Sequence, residues 1–92
     1  MYTTEYIGRR LYLLRVAVDL PVTKIANMTE VTEACWRFWE TGRTPSLKLL
    51  INICDHTGID IESFLTGESW LDDLTPDSPG VGMIRDKLEE TL

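Results

Sequence analysis

The sequence predicts an all-α fold, and three observations carry that expectation. Apolar residues recur at three- and four-residue steps in one segment after another. Helix-ending residues, among them Pro21, Gly42, Gly58 and Gly67, fall between those segments. No stretch alternates apolar and polar residues at the period of two that a half-buried strand needs. Five helices are expected, at about residues 4–18, 21–28, 32–41, 45–56 and 60–66, followed by a tail. The chain has 92 residues, which suits one domain with one modest core, near the size where oligomerisation often adds stability.

The first helix rests on Ile7, Leu11, Leu14 and Val18, one apolar stripe that Asp19-Leu20-Pro21 breaks. Pro21 is tolerated in the first turn of the second helix, which carries the small apolar pair Ile25-Ala26 and runs to about Met28. Thr32 stands where the third helix starts, as a cap whose hydroxyl accepts from an orphaned backbone N–H. Trp36 and Trp39 recur three apart on its inner face, and Gly42 ends it. Thr44 as cap and Pro45 at the first helical position open the fourth helix, expected to bury Leu47, Leu50, Ile51 and Cys54 before Gly58 terminates it. Asp60 caps a fifth, short helix with Ile61, Phe64 and Leu65. The expected core is Leu11, Leu14, Ile25, Val31, Trp36, Trp39, Leu47, Leu50, Ile53 and Leu65.

The stretch Thr23 to Gly42 reads as two short helices joined by a tight turn, with Val31 as the plug between them. A helix-turn-helix lays its second helix in the DNA major groove. The helix over 33–41 is therefore the candidate reader. Its outward positions, Glu33, Ala34, Cys35, Arg37 and Phe38, are the candidate base contacts. Phe38 is open between packing on the first helix and apolar contact with DNA.

The wider pattern carries a family resemblance. Ile7-Gly8-Arg9-Arg10-Leu11, Leu14-Arg15, Ile25-Ala26, Glu40-Thr41-Gly42-Arg43-Thr44-Pro45-Ser46-Leu47, then Leu50 and Ile53, Gly58-Ile59 and Phe64-Leu65-Thr66-Gly67 follow one another in order. This resembles the phage-repressor-like Xre family, the lambda repressor and Cro type, over roughly residues 5 to 67. The resemblance implies a five-helix DNA-binding domain over 1–67 and a double-stranded DNA operator read by a homodimer. It implies that Thr44 joins the groove-lining set, that Lys24, Thr32, Arg43 and Ser46 meet phosphates, and that Glu40 is a structural acid. Three positions depart from the family. Val22 replaces a frequent phosphate-anchoring Gln. Glu30 stands at a turn position that is usually Gly, so a positive φ there would be strained. Glu33 replaces a Gln, Arg or Lys; an acid there could accept from cytosine N4 but repels phosphates.

Charge divides along the chain. The net is −6. Residues 1–48 hold seven cations against five acids, giving +2, and residues 49–92 hold Arg85 and Lys87 against ten acids, giving −8. DNA affinity depends on the local face that meets phosphates, and the basic half contains the helix-turn-helix. The acidic half leaves a second expectation, a protein-interaction module on the same fold with weak or no DNA binding, such as an antirepressor or a polymerase-associated factor.

Residues 68–92 lie outside the resemblance. Asp72 to Gly80 reads as an acidic linker. Beyond it Val81, Ile84, Leu88 and Leu92 form an amphipathic stripe too short to stand alone, expected to pair with the same tail of a second subunit in preference to its own domain. No membrane span or signal peptide is evident. Cys35 and Cys54 lack partner spacing and His56 is the single histidine, so no metal or other cofactor is expected and a reduced, cytoplasmic chain is. No set of base, nucleophile and oxyanion donor suggests an enzyme.

Overall fold

Regular structure among the described residues is entirely helical: α1 (Thr4–Ala17), α2 (Val22–Met28), α3 (Glu33–Glu40), α4 (Leu47–Thr57), α5 (Glu62–Leu65), a 3-10 turn (Trp70–Asp73) and α6 (Val81–Glu89). The structure, a computed structural model, describes residues 4–41, 46–65 and 69–90.

Helix α1 is the spine. Its stripe of Ile7, Leu11, Leu14 and Val18 is buried, and α3, α5 and the 3-10 turn pack on it. Each such side chain contributes about 1.5–3 kcal/mol on burial. The helix stops where the chain takes a left-handed residue, Asp19, with φ of 57°. Asp19 N–H then donates to Val16 O at 3.1 Å and Leu20 N–H to Arg15 O at 3.3 Å, which satisfies the last carbonyls.

The arginine beside that stripe was not legible as a core residue. Arg10 is fully buried. Its Nε and Nη2 donate to Asp72 Oδ1 and Oδ2 at 2.8 and 2.9 Å, and Nη1 donates to Phe64 O at 3.0 Å. This fork ties α1 to the 3-10 turn and to α5. The Arg10 guanidinium holds the Asp72 carboxyl below the usual carboxylate range.

The C-terminal segment corrects two expectations. Residues 74–80 do not tether a separate tail; they reverse the chain. Ser78 Oγ accepts from Thr75 N–H at 2.9 Å, Ser78 N–H donates to Thr75 O at 3.0 Å, and Gly80 takes a φ of 89°. Helix α6 is thereby laid back on α4 and reaches α2. Val81, Ile84 and Leu88 are 6 %, 7 % and 0 % exposed and belong to the same buried cluster as Ile7 and Leu11. The stripe expected to dimerise is thus consumed by its own domain, and a boundary at 67/68 divides nothing in the core. Leu92 lies outside the described residues.

Further positions differ. Helix α4 starts at Leu47 with Ser46 as its cap, accepting from Leu49 N–H at 3.3 Å; Thr44 and Pro45, the expected start, lie outside the described residues. Its buried face is Leu50, Ile53, Cys54 and Thr57. Leu47, one turn short of that face, is 60 % exposed, and Ile51, about 100° round the helix from Leu50, is 44 % exposed. Val31 and Leu65 pack against the core half-buried. Gly58 ends α4 as expected, with φ of 75° and its N–H donating to Cys54 O at 2.8 Å.

Candidate nucleic-acid interface

Helices α2 and α3 with the turn between them form the candidate site. Ile25 and Ala26 are buried under α2, and Trp36 and Trp39 under α3, their rings 6.2 Å apart and tilted by 51°. Thr32 caps α3, its hydroxyl accepting from Cys35 N–H at 3.1 Å. Glu40 is the structural acid the resemblance implies. Arg15 Nε and Nη2 donate to its two carboxylate oxygens at 2.7 and 3.1 Å, and Trp36 Nε1 donates to Oε2. That clamp fixes the rotation of α3 on α1 and so decides which residues face outward. The Glu40 contact also raises the pKa of Arg15, which stays charged.

The turn is held from a direction the sequence did not reveal. Glu30 has a φ of 60°, the strained left-handed conformation expected if a non-glycine stood there. An L-residue with Cβ loses about 1–2 kcal/mol in that region. Val31 N–H donates back to Ala26 O at 3.0 Å and Glu30 N–H to Asn27 O at 3.2 Å, closing the helix end. Two residues one turn apart on α4 pin the loop: Asn52 Nδ2 donates to Thr29 O, and His56 Nε2 lies 2.9 Å from Glu30 Oε2. Spacing along α4 shows Asn52 and His56 on one face, but nothing in the sequence says what that face meets.

The outward set divides. Ala34, Arg37 and Phe38 are exposed, and Phe38 is 58 % so, which excludes packing on α1 as its main role. Glu33 and Cys35 are half-buried, and Cys35 packs against the core edge rather than standing clear of it. Arg37 is engaged within its own helix, with Nη2 and Nε donating to Glu33 Oε1 at 2.7 and 3.1 Å. Of the phosphate candidates, Lys24, Thr32 and Ser46 are exposed; Thr32 and Ser46 already serve as helix caps. Arg43 and Thr44 lie outside the described residues.

Internal pairing changes the charge of this half. Arg10 and Arg15 are spent on Asp72 and Glu40. The described cations left outside are Arg9, Lys24, Arg37 and Lys48, with Glu30 and Glu33 on the turn and helix that would meet the duplex. Counted with exposed Asp19, the described charges left outside in this half come to +1, close to neutral rather than strongly basic.

Other chemistry finds little purchase. Burial, with Asp55 and Asp60 nearby, pushes the Cys54 thiol up to about 12, so it stays protonated and inert. Among the described residues no group of three or more His, Cys, Asp or Glu is placed to hold a metal ion, and no helix is long and apolar enough to cross a membrane. Comparison of the chain with protein-family models, with curated proteins and with solved structures finds no match in any of the three.

Proposed function

We propose that this chain is a sequence-specific DNA-binding regulator, repressor-like in action, that lays α3 in the major groove of an operator. The supporting observation is the division of α3. Its inner face is buried and clamped through Glu40, while Ala34, Arg37 and Phe38 stand outward and Lys24 on α2 is exposed. Arg37 supplies a fork for guanine O6 and N7, and Phe38 and Ala34 supply apolar contact for a thymine methyl. Lys24, Thr32, Ser46 and Arg43 position the domain on phosphates.

The Glu33–Arg37 pair does not block this chemistry. An exposed pair one helical turn apart is worth about 0.3–0.5 kcal/mol, small against the roughly 1–3 kcal/mol of a bidentate base contact. Two copies on a symmetric site would double the contacts, with half-sites about 34 Å apart. Such a pair must use a surface other than the α6 stripe, which is already buried. Arg37→Ala tests the reading. It should weaken binding to a selected site by about 1–3 kcal/mol and relax preference at one base position. An unchanged affinity and preference would remove α3 from the interface.

A second reading has its own observation. Glu30 and Glu33 both lie on the turn and the start of α3, and Glu33 already neutralises Arg37. A protein-interaction module on the same fold would tolerate those acids better than a DNA reader does. Salt-dependent retention on bulk DNA separates the two: the regulator is retained and released by salt, and the module passes through.

A further inference from the structure

On elements other than those of the α2–α3 unit, the chain carries a furrow of about 350 Å³ between the end of α4, α5, the 3-10 turn and the start of α6. Ile59 and Ile84 line it, and Trp70 and Met83 stand at its edges, 50 % and 77 % exposed. The Trp70 ring is held in place, because its Nε1 donates to Ser63 Oγ at 3.0 Å. A half-exposed indole fixed by a hydrogen bond offers a flat apolar face with little ordering cost on binding. Two hollows adjoin the furrow through shared residues: one shares Gly58, Ile59 and Asp60 and reaches Ile51 and Asp55, and the other shares Trp70 and reaches Asp73.

The surroundings are acidic. Asp60 is exposed in the furrow itself, and Asp55 and Asp73 are exposed in the adjoining hollows. Among the described residues of its wall the one cation is Lys87, exposed and 3.4 Å from Glu90 Oε2. A second copy pairing through the same furrow would set these acids against themselves, and a nucleic acid would be repelled. A cationic segment with a large apolar residue is complementary to both the acids and the floor, and Lys or Arg can also stack over the Trp70 face.

We infer that this furrow docks a basic, apolar-anchored peptide segment of a partner protein, with Trp70 and Met83 gripping the anchor and Asp55, Asp60 and Asp73 holding its cations. The inference stands apart from the DNA reading, since it uses none of the α3 residues.

Selection of a random-peptide display library on the full chain tests it, followed by fluorescence anisotropy of the selected peptides. The expected winners combine Lys or Arg with Trp, Phe or Leu. Trp70→Ala and, separately, Met83→Ser should each weaken them about tenfold or more, as central apolar anchors do. Asp60→Asn with Asp73→Asn should weaken them roughly two- to fivefold and flatten the salt dependence. Arg37→Ala should leave capture unchanged, and circular dichroism should show each variant folded. No enrichment, acidic winners, or winners indifferent to both Trp70→Ala and Met83→Ser would overturn the proposal. So would self-association of the full chain that Trp70→Ala abolishes, which would make the furrow a contact between copies.

Discussion

Arg37 donates to Glu33 Oε1 from Nη2 at 2.7 Å and from Nε at 3.1 Å, so the cation proposed to read a base is already bound by an acid on its own helix. Glu33→Gln removes both the competing acceptor charge and its repulsion of phosphates. Affinity for bulk DNA should rise roughly two- to fivefold, equivalent to about 0.4–1 kcal/mol for an exposed pair. Anisotropy titrations at fixed salt measure it, and weaker bulk binding would mean that Glu33 itself makes a favourable contact.

The C-terminal helix is part of the fold, which sets a second expectation. A stop codon after Ser78 uncovers the apolar surface that Val81, Ile84 and Leu88 bury. The shortened chain should be unfolded or strongly destabilised, and Leu88→Ala alone should cost about 2–5 kcal/mol. Urea unfolding followed by circular dichroism reads both. A truncated chain as stable as the parent would show that α6 contributes nothing to the core.

Much of this was legible, and the exceptions share a cause. The stripe on α1, the inward tryptophans, the Thr32 cap and the Gly58 stop each follow from local spacing or local backbone chemistry, which a sequence displays directly. What was missed depends on partners distant along the chain. Arg10 reads as a surface cation until Asp72 arrives from 62 residues away, and Asn52 and His56 read as ordinary helix residues until the turn at Thr29-Glu30 comes under them. The α6 stripe was recognised correctly as apolar, but periodicity cannot say whether a stripe meets its own domain or another copy. At the candidate site, the spacing separated inward from outward positions. It could not show that Glu33 and Arg37 hold each other, or that Cys35 sits half under the core edge.

The Arg10–Asp72 fork predicts an acid-sensitive stability. Asp72 has its carboxyl pKa lowered in the folded chain, first by hydrogen bonds from Arg10. Its contribution is therefore present above the ordinary carboxylate value of about 3.9 and is lost as pH falls through the depressed folded value. Asp72→Ala leaves a buried guanidinium without its counter-ion and should cost about 1–3 kcal/mol, below the full buried-pair range because Asp72 keeps 30 % of its side-chain exposure. Arg10→Met, which removes charge while keeping bulk, should cost less and should blunt the acid limb of the stability curve. Melting curves from neutral pH downward for the three chains decide this; an Arg10→Met loss larger than that of Asp72→Ala would contradict it.

Two of the described residues adopt left-handed backbone without being glycine, Glu30 with φ of 60° and Asp19 with φ of 57°. Asp tolerates that region better than Glu does. Glu30→Gly should therefore stabilise the fold by up to about 1 kcal/mol, net of the lost His56 contact. Asp19→Gly should change stability less. Denaturant midpoints for the two variants give the order, and a Glu30→Gly variant less stable than the parent would show that the His56 contact outweighs the strain.

The most direct test of the DNA-reading role is selection of duplexes from a randomised pool by the full chain, with affinity for the winners measured across a salt series. The account predicts one enriched motif, a logarithm of affinity that falls linearly with the logarithm of salt, and loss of preference at one base position in Arg37→Ala. No enriched motif and no retention of any duplex at low salt would contradict it, and would leave the acidic half as the working surface of the protein.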